Sequence, residues 1–208
     1  MNNRDYKKFT TGKIFHVYNR GNNKEKVFLD EQDYKAFLFR LGLCLGFIEQ
    51  ELNQEKLLSL PYSRIRIMET KKNSFKLHSF CLMSNHFHFL IEQETDLPIS
   101  RLISKLCTSY AKYFNKKYKR VGHVFQDQFK AVLIESNPQL MWVSAYIHMN
   151  PVKDNIVKEP ENYAWSSYKD FIENRNLPII TKNLLIETFG DLEKFKTETL
   201  NFDAKDAL

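Results

Sequence analysis

The stretch from Phe75 to Gln93 constrains the fold more than any other part of this sequence. FKLHSFCLM (75–83) is a largely apolar strand candidate. Ser84 and Asn85 interrupt it, and HFHFLIEQ (86–93) resumes it with clean alternation. On a strand, successive side chains point to opposite faces, so His86 and His88 share one face and Phe87 takes the other, where it is expected to be buried.

The flanking segments supply the remaining elements. IFHVYNRG (14–21) alternates as a half-buried strand does and stops at Gly21. Asp30 is placed to cap a helix in which Tyr34, Phe37, Leu38 and Leu41 recur at helical spacing, and that helix is expected to reach about Leu52. SRIRIME (63–69) reads as a strand. After Pro98 the apolar stripe Ile99, Leu102, Ile103, Leu106, Cys107, Tyr110 and Phe114 predicts a helix that ends near NKKYKR. FKAVLI (129–134) is another strand candidate. Ser136 and Pro138 open a helix, QLMWVSAYIHMN, that Pro151 is expected to halt. Residues 184–195 predict a short helical extension.

This order gives an α+β class: a ferredoxin-like, RRM-like β-α-β-β-α-β antiparallel sheet with helices on one face. One further helix follows the last strand. The expected division is a main domain over 1–172 and a C-terminal helical extension over 173–208. Many functions share such a fold, so its site must carry the functional argument.

A formal net charge of +6 and a pI near 9.1 favour a polyanionic partner, because Lys and Arg contacts to phosphates release condensed counterions. Cys44, Cys81 and Cys107 are odd in number, widely spaced and set in apolar stretches, which indicates buried thiols in a reducing compartment. The N-terminus lacks the apolar core of a signal peptide, and no apolar run reaches membrane length. A cytoplasmic location without membrane contact is the expectation.

Two imidazoles on one strand face, about 7 Å apart, can converge on a cation; equally, they can be hydrogen-bonded surface histidines. Tyr146 and Asn150 stand four residues apart and share a helical face. A tyrosine offers a nucleophilic phenol, and an asparagine offers an amide oxygen for a metal. The alternatives at these positions are a packed tyrosine and an asparagine that ends a helix before proline.

CLMSNHFHFLIEQ, followed downstream by YIHMNPVKDNIVKEPENYAWSSY, resembles the IS200-like single-tyrosine transposases, nearest the REP-associated tyrosine transposase branch. FHVYNRGNN and KRVGHVFQDQFKAVLI are similar to that branch too, so the resemblance spans about residues 14–170. It implies that His86 and His88 ligate Mg²⁺ or Mn²⁺ and that Tyr146 is the nucleophile on single-stranded or hairpin DNA. Asn150 stands where insertion-sequence members carry a glutamine ligand. A homodimer that exchanges the tyrosine helix is one arrangement the family allows, and a monomer is another. The histidines precede the tyrosine here, unlike conjugative relaxases, whose tyrosine lies near the N-terminus.

The implied chemistry suits these residues. A phenol with pKa near 10 needs its developing anion stabilised, and a divalent cation polarises the scissile phosphate. Two imidazoles match manganese better than magnesium on softness. For the DNA surface, Lys116, Lys117, Lys119 and Arg120 form a basic run interleaved with Tyr113 and Tyr118, and Arg20 is a second candidate. The same run also fits a solvated helix end that complements the helix dipole. His16, His78, His123 and His148 are read as structural or DNA-facing. Three other functions compete: a domesticated hairpin binder, a water-using metal hydrolase and an RNA-binding module. The last would carry aromatics on the sheet face that holds the histidine pair.

Overall fold

A computed structural model of the chain describes residues 9–48, 70–126, 128–172 and 175–202. The expected strand at 63–69 and the expected helical residues 49–52 lie outside them. Among the described residues, four strands form one antiparallel sheet: β1 (Lys13–Arg20), β2 (Phe75–Met83), β3 (His86–Gln93) and β4 (Lys130–Leu133), in the order β2-β3-β1-β4. With α1 (Glu31–Cys44) after β1 and α2 (Ile99–Lys117) after β3, this is the α+β split-sheet fold expected from the pattern.

Both helices cover one face. Phe15, Val17, Phe87, Phe89 and Ile91 point from the sheet into a core with Phe37 and Leu41 of α1 and Ile103, Leu106 and Tyr110 of α2. Phe75, Leu77, Phe80 and Leu82 of β2 join the same core, although simple alternation would split them. A bulge between Leu77 and Ser79 restores the parity. His78, the extra residue, lies 3.0 Å from the Glu92 carboxylate and 3.2 Å from the Thr181 carbonyl, so its role is structural.

The opposite face carries α3 (Asn137–Lys153), which packs Leu140, Val143 and Ile147 on Cys81, Met83 and Leu90. Beyond α3 the chain returns to the outer side of β2 through the Cys81–Ser166 bridge. Three short helices, α4 (Tyr168–Ile172), α5 (Asn183–Phe189) and α6 (Leu192–Leu200), complete this second core with Tyr168, Phe171, Phe189 and Phe195. Among the described residues, no helix is long and apolar enough to cross a membrane.

Two helix ends differ from expectation. The first helix stops at Cys44, not near Leu52, because Gly46 takes a left-handed conformation with φ of 91°. The amides of Gly46 and Phe47 then bond back to the carbonyls of Leu43 and Gly42, a closure that satisfies the last carbonyls. A Cβ at Gly46 would also fall 2.7 Å from the Lys72 Cα. The third helix, in contrast, passes through Pro151 and ends at Lys153. Proline lacks one donor, yet the Asp154 amide still reaches the Asn150 carbonyl at 3.0 Å, so the final turn closes.

Asp33 joins α1 to α2. Fully buried, it accepts from the Leu29 amide at 2.8 Å, the Lys117 ammonium at 2.7 Å and the hydroxyls of Tyr113 (3.1 Å) and Tyr118 (2.8 Å). It also closes a capping box with Asp30. Truncating it would leave the buried Tyr113 hydroxyl and the Leu29 amide without this acceptor and Lys117, whose side chain is only 13% exposed, with Asp30 alone. Asp33→Ala is therefore expected to lower the free energy of urea unfolding by about 3–5 kcal/mol. A loss under about 1 kcal/mol would contradict this buried network.

His148 lies inside the second core against Tyr168, Phe171 and Phe195, each ring centroid 5.6 Å away. Burial pushes its pKa from 6.5 down to about 3. The unfolded chain thus takes up a proton below about pH 6.5 that the folded chain refuses, and stability falls as pH drops through that window. With chelator present, His148→Leu should flatten the slope of unfolding free energy against pH between about 6 and 4, by up to about 1.4 kcal/mol per pH unit. Equal slopes in both proteins would contradict a neutral buried imidazole.

Candidate active site

The pleat of β3 sends His86 and His88 to the α3 face, directly under the helix that carries Tyr146 and Asn150. The four side chains meet in a cleft of about 450 Å³, which Arg20, Lys153 and Asp154 also line. The rings of His86 and His88 stand 5.0 Å apart at 88°. Nε2 of His86 is 3.3 Å from Oδ1 of Asn150, so strand and helix converge on one point.

Hydrogen bonds fix which atoms face that point. Nδ1 of His86 lies 2.6 Å from Oδ1 of Asn85, whose amide nitrogen donates to the Lys24 carbonyl at 3.2 Å. The Asn150 amide nitrogen donates to the Tyr146 carbonyl at 3.4 Å, which leaves Oδ1 toward His86. His86 therefore sits between two acceptor oxygens. A neutral imidazole carries one N–H and can satisfy only one of them. The other nitrogen is left with its lone pair against an oxygen lone pair, an arrangement that a cation relieves.

His88 is oriented by His16, one of the histidines read from the sequence as structural or DNA-facing. Nε2 of His16 lies 2.9 Å from Nδ1 of His88, with the rings stacked at 5.1 Å. The opposite edge of His88 is thereby free for a ligand. Burial lowers the pKa of His16 to about 4, lowers that of His86, and holds that of His88 well below the usual histidine range, with the neighbouring imidazoles and Lys153 adding to the last. All three imidazoles are neutral near pH 7, as metal ligation requires. The donor set that fits a divalent cation is His86, His88 and Asn150, with His16 outside it as orienter. Among the described residues, no three His, Cys, Asp or Glu side chains form a metal-holding group, so the third donor here is an amide.

Tyr146 is half-buried and held on several sides. Its ring stacks on Trp142 at 5.4 Å and 7°, meets His88 edge-on at 5.5 Å, and has the Lys153 ammonium 5.3 Å from its centroid. Phe202, beyond α6, also reaches it at 6.3 Å. Lys153 and Asp154 enter the cleft because α3 continues past Pro151.

The structure separates the expected DNA-contact residues. Arg20 is exposed at the mouth of the cleft. Lys116, Lys117, Lys119 and Arg120 lie at the far end of α2, away from the cleft lining. Lys117 is paired with Asp30 and Asp33, and Arg120 with Glu25 at 3.0 Å, whereas Lys116 and Lys119 are exposed. Tyr113 is buried, and both it and Tyr118 donate to Asp33, a network that the spacing of charges along α2 does not reveal.

A paired-histidine strand beneath a helical tyrosine on a four-stranded split sheet defines the class of this site. Residues 51–150 match the family model described as "Transposase IS200 like". The match includes His86, His88, Tyr146 and Asn150, and it bears out the family resemblance read from the motifs. Among solved structures, one described as "Structure of the REP associates tyrosine transposase bound to a REP hairpin" is similar in fold. It has a TM-score of 0.53 and 16% identity, over 84% of this chain and 88% of the other. No match is found among curated proteins.

His16→Phe retains a stacked ring but removes the nitrogen facing His88. It is expected to weaken Mn²⁺ binding about 10- to 100-fold in calorimetric titration. Unchanged affinity would show that His16 does not orient a ligand.

Proposed function

We propose that this chain is a metal-dependent DNA transposase that cleaves and rejoins single-stranded, hairpin-bearing DNA through a 5′-phosphotyrosine intermediate. The observation that carries the reading is the convergence of His86, His88 and Asn150 beside Tyr146 in one cleft. The family match and the shared fold support a tyrosine transposase of the IS200-like, REP-associated kind. Hairpin DNA, bound by the structural relative, is the proposed partner.

Tyr146 attacks the scissile phosphorus. A bond forms between its phenolic oxygen and phosphorus as the bond to the 3′ oxygen breaks. The phenol loses its proton, and the departing strand leaves as a 3′-hydroxyl. Trp142 and the edge of His88 fix the tyrosine ring, so attack starts from a restricted set of geometries. The Lys153 ammonium, 5.3 Å from the centre of the Tyr146 ring, is the cation near at hand to offset negative charge that develops on the phenol and phosphate. His86, His88 and Asn150 would hold Mn²⁺ or Mg²⁺, and such a cation would supply polarisation of the phosphate and offset that charge. The phosphotyrosine bond conserves the energy of the phosphodiester, so a 3′-hydroxyl can reverse the step and join strands without ATP. Arg20, Lys116 and Lys119, whose charges are exposed, are the proposed phosphate contacts, together with any of Lys117 and Arg120 that the DNA draws from its acidic partner.

The test mixes labelled hairpin DNA and Mn²⁺ with wild type, Tyr146→Phe and His86→Ala, and resolves covalent adducts on a denaturing gel. Wild type is expected to form an adduct, and both variants to fall below about 0.1% of its rate. Cleavage that persists in Tyr146→Phe would sink the tyrosine mechanism in favour of an activated water. Tight binding without cleavage across several hairpins would favour a domesticated DNA binder.

A further inference from the structure

Alternation along β1 points Ile14, His16, Tyr18 and Arg20 to the sheet face that carries α3. His16 orients His88, Arg20 stands at the mouth of the cleft, and Tyr18 lies between them on the strand. Tyr18 is half-buried and lines the cleft with His86, His88 and Tyr146. In the sheet it is paired with His88 of β3 on one side and with Lys130 of β4 on the other.

Two phenols therefore flank one imidazole. The Tyr18 ring lies 5.4 Å from that of His88 at 31°, and 5.1 Å from that of His16 at 30°. The Tyr146 ring meets the same two imidazoles from α3, edge-on at 5.5 and 6.0 Å. Tyr18 thus forms part of the strand wall of the cleft, and Tyr146 part of the helix wall. The Lys130 ammonium, 5.9 Å from the centre of the Tyr18 ring, makes the strand wall positive. Among the described residues the Tyr18 hydroxyl has no hydrogen-bond partner. The hydroxyls of Tyr110, Tyr113, Tyr118 and Tyr163, in contrast, all donate to carbonyls or carboxylates. Those four oxygens serve the fold, whereas that of Tyr18 is left for the contents of the cleft.

We infer that Tyr18 is a second working phenol, whose hydroxyl donates a hydrogen bond to a non-bridging oxygen of the scissile phosphate from the strand wall while Tyr146 attacks from the helix wall. The inference rests on the proposed phosphotyrosine chemistry and adds a catalytic residue to it. A phenol ionises near pH 10, so Tyr18 keeps its proton at neutral pH and acts as a donor. A donor aimed at oxygens on which negative charge grows binds the transition state more tightly than the ground state. The proton stays on Tyr18 throughout. The bonds made and broken are those from phosphorus to Tyr146 and to the 3′ oxygen.

The test follows adduct formation in single turnovers with saturating hairpin DNA and Mn²⁺, for wild type, Tyr18→Phe, Tyr146→Phe and the variant that combines the two. Tyr18→Phe keeps the ring and removes only the oxygen. Its rate is expected to fall about 100-fold, as for the loss of one oxyanion donor, with DNA affinity, Mn²⁺ affinity and melting temperature unchanged. When the scissile linkage is either phosphorothioate diastereomer, the loss should shrink on one of them. There sulfur, a poor acceptor, replaces the oxygen that Tyr18 contacts.

A fall of less than about tenfold, or an equal loss on both diastereomers, would overturn the role of Tyr18 and leave the Tyr146 chemistry intact. A fall accompanied by weaker Mn²⁺ binding or a lower melting temperature would do the same, because Tyr18 would then be a support for His88. An adduct that survives in Tyr146→Phe and vanishes in the combined variant would overturn the donor role by making Tyr18 a nucleophile. A wild type that forms no adduct would overturn the phosphotyrosine reading and this inference with it.

Discussion

The two-residue period of β3 is the constraint on which the rest of the structure depends. Phe87, Phe89 and Ile91 are fully buried beneath α1 and α2, so their register is fixed by apolar area that cannot be returned to water cheaply. His86 and His88 have no freedom of their own. A slip of one residue would bury both imidazoles among phenylalanines and place Phe87 in the cleft. The hydrophobic core therefore sets the direction of the site histidines, and the precision of the site derives from packing on the other side of the sheet.

The helix above them is held in the same way. Leu140, Val143 and Ile147 seat α3 on Cys81, Met83 and Leu90, which leaves the face of Tyr146 and Asn150 over the histidines. The supporting bonds then run outward in both directions. Asn85 holds His86 and is itself held by the Lys24 carbonyl, while His16 on β1 holds His88. β1 serves the site twice, since Arg20 at its end opens into the cleft. Gly21 permits that end: a Cβ there would lie 2.1 Å from the Glu25 carbonyl oxygen.

Much of this was legible because it follows from local periodicity. Alternation gave β1 and β3, an apolar run gave β2, and the 3.6-residue stripe gave α2. Spacing alone put Tyr146 and Asn150 on one helical face. What was not legible depends on contacts distant in sequence. His16 and His88 are 72 residues apart and meet only through strand pairing. The basic run at the end of α2 carries no sign in its own sequence that Lys117 is claimed by Asp30 and Asp33, over 80 residues away. The end of α1 turns on the left-handed Gly46, and the passage of α3 through Pro151 turns on a closing bond to Asn150. Both are decisions of single residues within an otherwise helical pattern, where tertiary packing overrides propensity.

The proposed donor set would have an electrostatic consequence. Two neutral imidazoles and an amide carry no formal charge, so a divalent cation held by them keeps its full +2 toward a phosphate. A carboxylate at position 150 would have bound the cation more strongly but cancelled half its charge and repelled the incoming polyanion. Asp154, one turn on, brings a carboxylate into the cleft lining, exposed and balanced by the exposed Lys153. Burial of His16, His86 and His88 serves the same end, because it keeps each ring uncharged near pH 7 and its lone pair available. On the proposed reading such a site would trade cation affinity for Lewis acidity, which suits a reaction whose substrate brings its own negative oxygens to complete the metal's shell.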